Sequence, residues 1–366
     1  MKIAQIAPLA ESVPPKLYGG TERIVSYLTE QLVALGHDVT LFASGDSVTT
    51  AELVACTDSA LRLNPAVRDP LPYHLMELEE VCQRAADFDI LHFHVDLLHF
   101  PLVRPFAERT LTTLHNRHDG ADYRPLYMAF PEIPLVSISD SQQRRMPPVN
   151  WIGTVYNGIP ASLLPFHPVP TGDYLAFLGR IAPEKGPAQA IEIARRAGMP
   201  LKMAAKIDKM DYVYWETVIE PLIRRSPWVE FVGEIGQDAK PDFLGNATAL
   251  LFPIDWPEPF GLVMIEAMAC GTPVIGFSCG SVPEVLEDGL SGFVVKNVDE
   301  AVEAVGRIGK VERAGVRSAF ERRFSAERMA ADYLALYQYA EPILVPEPAA
   351  APLTQPNLWR ERPTAS

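Results

Sequence analysis

Two successions of strand-helix units, separated by a proline-rich stretch, constrain this chain more than any other feature. Residues 2–7 read as a short apolar strand, followed by a loop holding Pro14, Pro15 and the pair Gly19–Gly20. A helix follows, with Thr21 as its expected N-cap and Ile24, Val25, Leu28, Leu32 and Leu35 on one face, and Gly36 ends it. The next strand is expected at 39–43, and further ones at 90–93, 110–114, 135–139 and 152–155. Near-continuous apolar strands alternating with helices predict a parallel sheet covered on both faces.

Residues 157–173, NGIPASLLPFHPVPTGD, carry four prolines and neither a helical nor a strand period, which marks a linker. A second run begins immediately after it, with strands expected at 174–178, 201–205, 229–232, 249–252, 274–277 and 292–295, and helices at 189–197, 212–225 and 261–270. Two such halves on a hinge predict an α/β chain of two Rossmann-like domains facing across a cleft. Ligands of such sheets bind beyond the carboxyl ends of the strands, so the loops that leave those ends carry most information.

Composition narrows the function classes. A chain of 366 residues is too long for one ordinary core. Its hydrophobic share of 48% and charged share of 21% are those of a soluble globular protein. A formal net charge of −14 argues against a nucleic-acid partner and against docking by charge onto an anionic membrane. Cys56, Cys82, Cys270 and Cys279 form no CxxC and no zinc spacing, and read as reduced thiols of a cytoplasmic protein. The N-terminus reads as a first strand rather than a signal peptide, and no stretch approaches a membrane span.

The most informative stretch is 254–274, IDWPEPFGLVMIEAMACGTPV. A strand end and a proline-rich elbow lead into a helix that Gly271 and Pro273 stop. Glu258 precedes the helix and Glu266 lies within it. A helix N-terminus presents unpaired N–H groups and a positive dipole end, which seat a phosphate, and Gly261 permits close approach of a ligand. Carboxylates on either side accept hydrogen bonds from hydroxyls, so a diphosphate with a sugar at one end and a ribose at the other fits. Taken alone, two glutamates at this spacing also suit an ordinary amphipathic helix. A second motif, Phe177 to Gly186 (FLGRIAPEKG), sets Arg180 and Lys185 in a strand-to-helix loop, where a guanidinium fork and an ammonium can grip a diphosphate.

Together these stretches resemble the E-x7-E signature and the donor-diphosphate site of retaining glycosyltransferases of family 4 (glycosyltransferase group 1), which have the GT-B fold, and the resemblance extends over about residues 1–338. It implies an N-terminal Rossmann-like acceptor domain at 1–160, completed by a C-terminal helix at 325–340 capped by Ser325. It also implies a nucleotide-sugar donor domain at 172–324; the proline- and alanine-rich tail 341–366 is expected to be disordered. It further implies transfer of a hexose, glucose or mannose, from a nucleotide diphosphate sugar to an acceptor hydroxyl on a sugar, polyol or lipid-linked molecule, with retention and without a metal or other cofactor. By that resemblance Arg180 and Lys185 neutralise the leaving diphosphate, Glu258 holds the sugar, Glu266 binds the ribose, and Phe260, Gly261, Leu262 and Val263 bring backbone amides to phosphate and sugar. Gly19 and Gly20 let the first loop approach the donor, Val232–Gly233 meets the base, and His115 stands near the donor sugar. Lys206, at another strand end, is a further candidate for the cleft.

Five of the eight histidines fall between positions 92 and 118. His92, His94 and Asp96 alternate along a strand and are expected to line the cleft at its end; a metal set is the alternative reading. Arg117, His118 and Arg124 make that mouth locally basic, which suits an acceptor bearing phosphate or carboxylate. Two other functions remain open at this level: a nucleotide-sugar epimerase on the same architecture, and a non-catalytic nucleotide-sugar binder.

Overall fold

The protein is described by a computed structural model covering residues 1–16, 19–62 and 64–339. The tail expected to be disordered, 341–366, lies outside these residues.

The first half holds seven parallel strands: β1 (Lys2–Ile6), β2 (Asp38–Ser44), β3 (Glu52–Thr57), β4 (Ile90–Phe93), β5 (Thr110–Thr113), β6 (Leu135–Ser137) and β7 (Trp151–Thr154), in the order β3-β2-β1-β4-β5-β6-β7. The second half holds six: β8 (Leu175–Arg180), β9 (Leu201–Lys206), β10 (Val229–Gly233), β11 (Ala249–Phe252), β12 (Val274–Phe277) and β13 (Gly292–Val295), in the order β10-β9-β8-β11-β12-β13. Central strands such as β4 and β11 are buried along their whole length, because helices cover both faces. Strand β3 has no counterpart in the sequence reading. It is an edge strand, and ELVACT is only half-buried, so it lacks the continuous apolar run that betrays its neighbours. The strand order reverses between β1 and β4 and again between β8 and β11, which opens a crevice at the carboxyl end of each sheet.

Two helices differ from their sequence reading. The first runs Gly20–Ala34, with Gly19 at its N-cap and no side-chain cap, so Thr21 lies inside it. Its start is served instead by the buried Glu22 carboxylate, which accepts backbone hydrogen bonds from Glu22 and Glu11. The stretch expected as one helix at 212–225 contains a wide π turn at Trp215–Ile219. Pro221 follows that turn, has no N–H to donate, and would crowd the carbonyl one turn back.

The last described helix (Ala326–Tyr339) starts as its sequence suggests, with Ser325 Oγ accepting from the Arg328 N–H at 3.2 Å. Met329, Ala330, Tyr333 and Tyr337 then pack with Ile3, Ile24, Leu28, Leu32 and Val136 in the core of the first half. The returning chain runs beside the linker. Ile159 bridges Ser325, Arg328 donates to the carbonyls of Tyr156 and Asn157, and Arg317 donates to those of Ala161 and Leu164.

Burial holds several histidines neutral. His92 and His94 lie well below the ordinary imidazole value of 6.5, His99 is pushed down to about 3 and His115 to about 4, in every case chiefly by desolvation. In the unfolded chain each takes up a proton below pH 6.5, so the unfolded state gains protons that the folded state refuses. Stability is therefore complete above pH 6.5 and declines as pH falls towards the folded values, each histidine costing about 1.4 kcal/mol per pH unit in that window. Calorimetric melting between pH 7.5 and 5 should show a steep fall in Tm that is shallower in His99→Asn; equal slopes would contradict this assignment.

Candidate active site

The two crevices face each other, and a cleft of ≈ 640 Å³ lies between them, a size that suits a nucleotide-sized ligand. Its walls come from strand ends. The β1 loop contributes Gly19, Gly20 and Glu11, and the β5 end contributes His115 and Asn116. From the second half come Arg180 at the end of β8 and Lys185 beyond it, Lys206 at the end of β9, and the elbow and helix start from Glu258 to Val263, with Glu266.

Two glycines are needed where they stand. Gly186 has φ +72°, and a Cβ there would lie 2.0 Å from the Pro253 carbonyl oxygen. Gly261 has φ +82° and caps the signature helix (Leu262–Ala269) with no side-chain bond, leaving the first N–H groups of that helix for a ligand.

Charge in the cleft is arranged in opposed pairs. Lys185 Nζ bonds Glu258, and the Trp256 indole N–H donates to the same carboxylate oxygen at 2.6 Å. The Lys185 ammonium also stands 4.6 Å from the Trp256 ring centroid. Arg180 bonds Asp211 and, at 2.5 Å, Glu184. Lys240 Nζ lies 2.6 Å from Glu266 Oε1, and Lys206 lies 2.8 Å from Asp208. His115 is half-buried, and its Nε2 sits 2.8 Å from His94 Nδ1.

Comparison with known proteins bears on this geometry. The family model described as Glycosyltransferase Family 4 matches residues 18–159, and that described as Glycosyl transferases group 1 matches 224–323. The chain belongs to the group 1, family 4 glycosyltransferases. It is 25% identical to a glycogen synthase of Mycobacterium tuberculosis, over 88% of this chain and 92% of that protein. It is also 25% identical to a phosphatidyl-myo-inositol mannosyltransferase of Mycolicibacterium smegmatis, over 89% and 88%. Among solved structures it superposes on AviGT4, a glycosyltransferase involved in avilamycin A biosynthesis, with TM-score 0.70 at 23% identity, covering 92% of this chain and 97% of that one. It also superposes on Anabaena HepE in complex with UDP and glucose, with TM-score 0.68 at 17% identity, over 92% and 99%. The fold is GT-B, with a seven-stranded and a six-stranded Rossmann-like sheet.

Within this glycosyltransferase most of the residues singled out by sequence converge on the cleft: Gly19, Gly20, His115, Arg180, Lys185, Glu258, Phe260, Gly261, Leu262, Val263 and Glu266. Val232 and Gly233 do not reach its wall. The β10 register shifts between Phe231 and Gly233, Gly233 has φ +80°, and the following loop, Glu234 to Gln237, lines the cleft instead. His92 and His94 are buried inside the first half rather than lining the cleft, with both nitrogens of each bonded internally. Among the described residues no group of three or more His, Cys, Asp or Glu is placed to hold a metal. At the basic mouth, Arg117 is paired with Asp119, and His118 Nε2 lies 2.9 Å from Asp96. No described helix is long and apolar enough to cross a membrane.

Sequence reading missed the partners of the named residues. Trp256 shares the elbow of Glu258, whereas Asp211 closes a short 3-10 turn and Lys240 opens a helix, and only the fold shows that they meet Glu258, Arg180 and Glu266. The Lys240–Glu266 pair is mostly buried, so Lys240→Met leaves a carboxylate without its cation and should lower stability by about 2–3 kcal/mol. Lys202→Met, which breaks the exposed pair with Glu230 and a contact with the Tyr174 ring, should change stability by less than about 1 kcal/mol. Denaturant unfolding of the two variants measures the contrast, and equal effects would refute it.

Proposed function

We propose that this glycosyltransferase moves a hexose, glucose or mannose, from a nucleotide diphosphate sugar to a hydroxyl acceptor with retention of anomeric configuration, and that it works in the cytoplasm. The observation that carries this reading is the convergence of Arg180, Lys185 and the open N-terminus of the signature helix on one face of the cleft, flanked by Glu258 and Glu266. Two cations and a helix end make an anion seat, and a carboxylate on either side suits sugar and ribose hydroxyls. The relatives add support: one solved neighbour holds UDP and glucose, and curated relatives are a glycogen synthase and a mannosyltransferase.

In this reading the donor diphosphate takes Arg180 from Asp211 and Lys185 from Glu258. The bond from the anomeric carbon to the phosphate oxygen breaks, its electron pair stays with the diphosphate, and Arg180 and Lys185 stabilise the charge that develops there. They supply what a divalent ion supplies elsewhere, so no metal enters. The acceptor hydroxyl attacks the oxocarbenium-like carbon from the face the diphosphate leaves, and its proton passes to the departing phosphate. Glu258, freed from Lys185, holds sugar hydroxyls, Glu266 takes the ribose, and residues 234–237 replace Val232–Gly233 as the segment beside the base. His115 borders the sugar.

Turnover with UDP-, GDP- and ADP-linked glucose and mannose tests this directly. Lys185→Ala and Glu258→Ala should each lower kcat/KM by about 100-fold or more while melting cooperatively. EDTA should leave the rate unchanged, and proton NMR should find the donor's anomeric configuration in the product. Near-wild-type turnover in either variant would remove the site assignment, and nucleotide-sugar rearrangement without an acceptor would favour an epimerase.

A further inference from the structure

A line of buried polar groups runs from the cleft to the last helix, and the reaction as described does not use it. His115 Nε2 lies 2.8 Å from His94 Nδ1, and His94 Nε2 lies 2.8 Å from Gln5 Oε1. The other end of the Gln5 amide, Nε2, donates to Tyr337 Oη at 3.1 Å. Tyr337 Oη is 2.8 Å from His92 Nδ1, His92 Nε2 is 2.8 Å from Thr113 Oγ1, and Thr113 meets Tyr333 Oη at 2.9 Å. Gln5, His92, His94, Thr113, Tyr333 and Tyr337 are each no more than 1% exposed. Every contact in the line is a direct one between side chains, and its two ends belong to different parts of the chain: the loop that leaves β5 and the helix Ala326–Tyr339.

Donor and acceptor roles follow from the chemistry of each group. With its Nε2 committed to Tyr337, Gln5 turns its carbonyl oxygen to His94, and an amide oxygen can only accept. His94 Nε2 therefore carries the hydrogen. Burial keeps His94 neutral, so its Nδ1 is bare and accepts from His115. His115 must then hold its hydrogen on Nε2. It too is neutral, which leaves Nδ1 as its one unprotonated nitrogen and the only ring nitrogen not committed to His94. Reversing the Gln5 amide would reverse each of these roles and give the cleft an N–H instead of a lone pair. Tyr337 Oη can donate as well as accept, and it receives the amide N–H while its own hydrogen goes to His92 Nδ1, 2.8 Å away, so Tyr337 backed by His92 is what separates the two states.

We infer that Gln5, His94 and Tyr337 are positioning residues that fix His115 as its Nε2–H tautomer, so that the imidazole meets the bound sugar or acceptor as a hydrogen-bond acceptor through Nδ1. The inference rests on the functional reading above for what His115 faces, but not for the tautomer itself, which exists in the free protein. It also gives the last helix a role beyond packing: Tyr337 couples the segment that closes the fold to one atom in the cleft. A hydroxyl that donates to Nδ1 is recognised, whereas a ligand group that can only accept is rejected there.

Two-bond proton–nitrogen correlation on the free, uniformly nitrogen-15-labelled full chain reads the tautomer, with His115 identified by the loss of its signals in His115→Asn. Wild type should show His115 protonated on Nε2 only. Gln5→Met keeps length but removes the acceptor, and should give a mixture of tautomers. Tyr337→Phe removes one hydroxyl, frees the amide to turn, and should also give a mixture; it serves if Gln5→Met fails to fold. In turnover, Gln5→Met and Tyr337→Phe should each lose on the order of tenfold or more in kcat with the donor KM within about threefold. His115 protonated on Nδ1 in wild type, or a single unchanged tautomer in both Gln5→Met and Tyr337→Phe, overturns the inference. If the enzyme transferred no hexose from any sugar nucleotide, the functional reading would fall while the tautomer result stood.

Discussion

The site depends on one close approach of two loops. The chain leaving β8 and the chain leaving β11 lock together: Asp255 N–H donates to the Glu184 carbonyl at 2.8 Å, and only a glycine at 186 clears the Pro253 carbonyl. Lys185 then bonds Glu258 across the junction, with Trp256 bonded to the same carboxylate. Because β8 and β11 are adjacent at the point where the strand order reverses, this junction sits in the crevice, where nothing continues the sheet. Two motifs far apart in sequence are therefore one rigid object, and the helix N-terminus at Gly261 is aimed by it.

A cleft holding so much charge is stable while empty because four of its cations are held by carboxylates. Arg180 is held by Glu184 and Asp211, Lys185 by Glu258, Lys206 by Asp208 and Lys240 by Glu266. Mutual pairing limits the desolvation penalty that these groups would otherwise pay one by one. On the proposed function, binding is an exchange of partners: a diphosphate takes over the cations and the released carboxylates meet hydroxyls. Asp211 closes a short 3-10 turn between the exposed Met210 and Tyr212.

What the sequence made legible was whatever a local pattern carries. Apolar strands such as 90–93 and 249–252, the helix start near Gly261 and the Ser325 cap could all be read, because their causes are a few residues long. Edge strand β3 escaped because it is only half-buried, with no continuous apolar run, and the π turn at Trp215–Ile219 escaped because the proline that causes it comes after the turn. Of the site, the motif residues were legible as a set, yet their partners were not. Nothing near Arg180 points to Asp211, and nothing near His115 points to Gln5 and Tyr337, 332 positions apart. The histidines misled for the same reason. Alternation on β4 tells that His92 and His94 share a face, but not that the last helix covers it.

The most direct test of the account is calorimetric titration of UDP, GDP and ADP into wild type, Arg180→Met and Asp211→Asn. The account predicts saturable one-to-one binding of at least one diphosphate to wild type. Binding should be lost or greatly weakened in Arg180→Met, and tighter in Asp211→Asn, where the competing carboxylate is gone. Saturable binding that Arg180→Met leaves intact, or no binding of any of the three to wild type, would contradict it.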